Sequence, residues 1–86
     1  LRNKIAVAAV VKAQAFIVGA TPTSNQLTWS RNTLERPLTE ADFLLNYILA
    51  ANRSLTAVQI SNASDVDIQT QVNTAVDALV GGGVIE

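Results

Sequence analysis

Apolar positions along the chain recur at helical spacing, interrupted by glycine, proline and hydroxyl residues, and they mark out four helical segments in 86 residues. The first runs from about Asn3 to Val18. Its stretch Ile-Ala-Val-Ala-Ala-Val-Val-Lys-Ala-Gln-Ala-Phe-Ile-Val, residues 5–18, is apolar almost all the way round as a helix. A surface helix buries one stripe, whereas a helix apolar on every side has to be enclosed. The valines also suit a strand. Length and alanine content favour a helix that stops at Gly19.

The second segment is expected to begin at Thr21-Pro22, with Thr21 as cap and Pro22 at the first helical position. Leu27 and Leu34 lie two turns apart and point to its inner face. Pro37 ends the segment near Arg36, because helical geometry is disfavoured before proline. The third is expected to start at Thr39, with Asp42 as the acid of a capping box and Leu38 stapled against Phe43. Phe43, Leu44, Tyr47, Ile48 and Ala51 follow at helical spacing, and Asn52 suits the exit. Residues 54–63 read equally as a helical turn or as an extended arm with Leu55, Val58 and Ile60 inward. Ser64 opens the fourth helix, which carries Ile68, Val72, Ala75, Val76 and Leu79 and closes at Gly81.

The fold class is therefore all-α: a small bundle of about four short helices over residues 1–80, followed by a glycine-rich C-terminal tail, 81–86. Leu27, Phe43, Ile48, Ile68, Val72 and Leu79 are the expected core. A chain this short buries only roughly 60–65% of its unfolded surface, which leaves little to wrap the first helix. Neighbouring subunits are the expected solution. Val7, Val11 and Val18 gather on one side of that helix and are assigned to the interface. Trp29 stands off the Leu27/Leu34 row, as a core anchor or as an interface residue. Val84 and Ile85 have nothing local to bury them, and they are expected to dock on an adjacent subunit.

Composition supports contact with neighbours. Apolar residues make up 49% of the chain and charged residues 15%, well below the about 25% charged of an average soluble protein. That balance excludes intrinsic disorder. Charge is lopsided: residues 1–53 hold all six basic residues against three acids, net +3, and residues 54–86 hold four acids and no base, net −4. Such a chain can stack head to tail. A nucleic-acid partner needs a denser basic face than this. Arg2 and Lys4 ahead of an apolar run loosely imitate a secretory signal, but Lys12 breaks the run. A membrane span needs about 20 apolar residues.

Candidate chemistry is sparse. With no histidine and no cysteine, the usual general base, thiol nucleophile, disulfide and nitrogen or sulfur metal ligands are missing. An enzyme would have to work with carboxylates, Lys4, Lys12, Tyr47 or hydroxyls. Asp65 and Asp67 are two apart on a helix and do not face each other; as first-turn acids they cap it and oppose its macrodipole. Gly81-Gly82-Gly83 follows a helix, the wrong side for a phosphate loop. Arg36 and Arg53 sit at helix C-termini, where cations are favourable. Two Asn-x-Ser tripeptides, at Asn52 and Asn62, match the glycosylation pattern without other signs of secretion. No catalytic, metal or cofactor site is assigned.

Four stretches together resemble a known group. They are Ala-Val-Val-Lys-Ala-Gln-Ala ending at Ala15, Leu27-Thr-Trp-Ser-Arg-Asn-Thr-Leu-Glu-Arg-Pro37, Asn46 to Asn52, and Ala63-Ser-Asp-Val-Asp-Ile-Gln-Thr-Gln-Val-Asn73. In this order the chain resembles small helical virion structural proteins of tailed bacteriophages. The Trp-x4-Leu-x2-Pro and Asp-x-Asp-Ile-Gln-x2-Val-Asn motifs are its most specific parts. The resemblance implies a building block present in many copies at the capsid or head–tail neck. Its partners would be its own copies and other virion proteins, and its location the virion, assembled in the host cytoplasm. It implies no catalytic residues and no cofactor. The competing readings are a helical adaptor that binds a partner helix in an apolar groove and, third, a carboxylate enzyme.

Overall fold

A computed structural model describes residues 1–85 and is all-helical over them, with five helices: α1 (Arg2–Val18), α2 (Ser24–Glu35), α3 (Pro37–Ala51), α4 (Ala57–Ser61) and α5 (Asp65–Gly81). The bundle measures 35 × 22 × 21 Å. α1 is its axis, packed by α2, α3 and α5, while α3 also touches both α2 and α5. Alanine makes this possible. Ala6, Ala8, Ala9 and Ala13 are all buried, and their small side chains let three helices approach one backbone closely. The chain's own helices therefore bury one side of α1, at Ile5, Ala9, Ala13 and Phe16, and leave the other open; the expectation that neighbouring subunits complete its burial bears on that open side alone.

Local chemistry sets the helix boundaries. Thr23, not Thr21, caps α2: its hydroxyl accepts from the Gln26 N–H at 3.2 Å, and Gln26 Oε1 accepts from the Thr23 N–H at 2.6 Å. This reciprocal pair is a capping box, and it overrides the Thr21-Pro22 start. A second box, Thr56 with Gln59, opens α4, so residues 54–63 hold a short helix. Of the three apolar residues there, Ile60 is buried and Val58 exposed. α3 begins at Pro37 with no side-chain cap, two residues before the expected Thr39, because proline at the first position is already set for a helix. Leu38 and Phe43 are both exposed, so no buried staple forms. Ser64 caps α5 as expected, its Oγ accepting from the Asp67 N–H at 3.2 Å.

Ile48, Ile68, Val72 and Leu79 are buried as expected, but Leu27 (47% exposed) and Phe43 (45%) are not. α2 turns Trp29, Ser30 and Thr33 inward in place of the Leu27/Leu34 row. Two hydroxyls can face the core here because each is satisfied within its own helix. Ser30 Oγ donates to Gln26 O at 2.7 Å and Thr33 Oγ1 to Trp29 O at 2.7 Å. On α3, Leu44 is fully buried in place of its neighbour Phe43.

α5 ends in a turn that re-aims the chain. Gly83 has φ +71°; its N–H donates to Val80 O at 3.1 Å, and the Val84 N–H donates to Leu79 O at 3.0 Å. This is the Schellman arrangement, which needs a left-handed residue at that point. It folds the tail back, so that Ile85 is buried in the chain's own core. The expected domain limit at residue 80 thus falls inside α5, and residues 81–85 belong to the same packed unit. The last tail residue, Glu86, lies outside the described residues.

Candidate interaction surface

The residues assigned to an interface divide into two groups. Val7 (66% exposed), Val11 and Val18 (86%) lie open on α1, and Val84 is open as well. Trp29 and Ile85 are only 1% and 5% exposed within the single chain, which corrects their assignment to contacts between subunits. Trp29 packs edge-on against Phe16 of α1, with ring centroids 6.0 Å apart and planes at 83°, a favourable quadrupole arrangement. Ile85 shares a cleft of about 260 Å³ with Trp29, Thr39, Glu40, Phe43 and Val84. The docked tail covers its own domain.

The open arc of α1 has a simple origin. At 100° per residue, Val7, Val11, Gln14 and Val18 fall within about 60° of arc, opposite Ile5 and Phe16. With Ile5 and Phe16 in the core, the valine side faces out. Ile17 is exposed beside it. Ala6, Val7, Val10, Val11 and Pro37 line a groove of about 270 Å³ with no polar side chain. Pro37, read from sequence as a helix stop, is here a wall of that groove. Its partnership with Val10 joins residues far apart in the chain, and no local spacing signals it.

Lys12, the one charge along the middle of α1, is directed away. Its Nζ lies 2.9 Å from Asp77 Oδ1 on α5 and 4.6 Å from the Phe16 ring centroid. α5 is further tied to α1 by Gln69, whose Nε2 donates to Ala8 O and to Asn73 Oδ1, each at 2.9 Å. These residues belong to the Asp-x-Asp-Ile-Gln-x2-Val-Asn stretch, whose other members, Ile68 and Val72, are core. The stretch holds α5 against α1.

Elsewhere the polar groups offer structural chemistry. A cavity of about 400 Å³ between α1 and α5 is lined by Asn3, Lys4, Val7, Ala8, Asp65, Ile68 and Gln69, but Lys4 is engaged with Ser61 O at 3.0 Å. Asp65 and Asp67 sit in the first turn of α5, and among the described residues no three acids gather as a metal site would require. Burial pushes the Glu40 carboxyl above its usual range, and the Trp29 indole and Arg36 draw it partly back. The indole N–H is buried and closes no hydrogen bond of ordinary geometry, so its effect on Glu40 is that of a nearby dipole. No described helix is long and apolar enough to cross a membrane. No family model, curated protein or solved structure shows significant similarity to the chain.

Proposed function

We propose that this chain is a structural subunit of a tailed-phage virion. It assembles in many copies at the capsid or head–tail neck, in the host cytoplasm, through apolar helix contacts with its own copies and other virion proteins. One observation carries the reading. A domain that completes its core with its own helices and tail still leaves Val7, Val11, Ile17 and Val18 exposed along one helix. An uncharged strip of this kind, apolar except for Gln14, marks a contact with another protein. The virion setting rests on the resemblance of the motif order alone; within the fold, Trp29 of one motif anchors α2 and Pro37 walls the groove beside the strip. The role is non-catalytic and uses no cofactor.

An adaptor is the second reading, because the all-apolar groove at Val10 and Pro37 also suits one side chain of a partner helix. Particle reconstruction and quantitative mass spectrometry of purified virions separate the two. The proposal expects a copy number that follows particle symmetry, with α1 against another subunit. Absence from particles, or a stoichiometric complex with one soluble protein, refutes it.

A further inference from the structure

α1 places its terminal charges at the end opposite to the one its macrodipole favours. Arg2 and Lys4 stand near its positive N-terminus, and its last turn holds no basic residue. Asp42 lies 2.9 Å from Arg2 and the Ser61 carbonyl receives Lys4, so the chain partly offsets this at one end only. A second α1 laid antiparallel brings its negative C-terminal end toward Lys4, the cation on the strip's side of the helix, and receives the same in return; Arg2, about 150° away around the helix, faces Asp42.

The exposed strip has the matching symmetry. Val7, Val11, Gln14 and Val18 are spaced four, three and four residues apart, all exposed, so the spacing reads the same from either end. Reversed on itself, the strip sets Val7 opposite Val18 of the second copy and Val11 opposite Gln14. Val18 then lies over the groove formed by Val7, Val10 and Pro37, and the axis passes between Val11 and Gln14, with the two Gln14 side chains diagonally across it. A twofold contact brings the residues beside its axis close to their own copies, which penalises any charge placed there. From Val7 to Val18 this strip has none, since Lys12 is turned to Asp77.

We propose that two copies of the chain pair through antiparallel α1 helices about a twofold axis beside Gln14. The inference rests on the reading of the α1 face as a contact between copies and supplies its geometry. Gln14→Lys and Gln14→Glu test it, because Gln14 is exposed and circular dichroism can verify that both variants fold. In sedimentation over a dilution series, each variant alone is expected to self-associate about tenfold or more weakly than wild type. An equimolar mixture of the two is expected to recover wild-type association. If mixing gives no recovery, or neither variant weakens association, copies meet in another arrangement and the antiparallel pair is overturned, while self-assembly stands. A wild-type chain that stays monomeric throughout overturns the pairing and self-assembly together.

Discussion

Truncating Ile85 to alanine tests the unexpected course of the tail. Ile85 is 5% exposed, and burying such a side chain contributes about 1.5–3 kcal/mol. The two backbone hydrogen bonds of the turn add about 0.5–1.5 kcal/mol each. Ordering the glycines opposes them at about 1–2 kcal/mol per residue. The tail therefore docks with a small net free energy and peels away once Ile85 is shortened. Peeling caps the loss at about 1–2 kcal/mol, below the roughly 2–5 kcal/mol of an enclosed core site. In a domain of this size the melting temperature should fall by roughly 5–15 °C. Thermal unfolding followed by circular dichroism measures the shift. The single tryptophan, Trp29, lines the same cleft, and its emission should move to longer wavelength. Val84, 63% exposed beside it, provides the control, because Val84→Ala should stay within about 0.5 kcal/mol of wild type. If Ile85→Ala behaves like Val84→Ala in both readouts, the docked tail is refuted.

Gly81 and Gly83, at the end of α5, should respond in opposite directions. A Cβ at either meets no atom within 4 Å, but only Gly83 has positive φ. Gly81→Ala should stabilise by about 0.5–1 kcal/mol, whereas Gly83→Ala should cost about 1–2 kcal/mol, both read by urea denaturation. Glu40 should make stability fall with rising pH. Its folded carboxyl titrates above the ordinary value of 4.5, so between 4.5 and its raised value the unfolded chain releases the proton more readily. Glu40→Gln should flatten that decline and raise the melting temperature at neutral pH. An unchanged pH profile in this variant contradicts the half-buried placement of the carboxyl.

Much of the helical layout is legible in the sequence, because capping and proline chemistry are local. Ser64 and Asp67 announce α5, and Thr23-x-x-Gln26 and Thr56-x-x-Gln59 carry the same grammar, with glutamine in place of the acid. The inner face of α2 is less legible. Apolar spacing selects Leu27 and Leu34, yet Ser30 and Thr33 are buried because their hydroxyls return to the preceding turn. Which arc of α1 stays open depends on where α2, α3 and α5 sit, and its uniform apolar pattern carries no such record. The valine spacing shows only that Val7, Val11 and Val18 share one side of the helix. For Ile85, the sequence shows the glycines but not the left-handed φ at Gly83, which sends the tail home instead of to a neighbour.

The central claim is that the α1 face joins copies of this chain, and molar mass tests it most directly. Light scattering across a concentration series should give the wild type a mass that rises above its 9.1 kDa monomer. Val11, 47% exposed, can be changed to aspartate without opening the core. Val11→Asp should keep wild-type helicity and stay at the monomer mass throughout. A wild type that remains at 9.1 kDa, or a Val11→Asp chain that loses its helicity as a monomer, contradicts the claim.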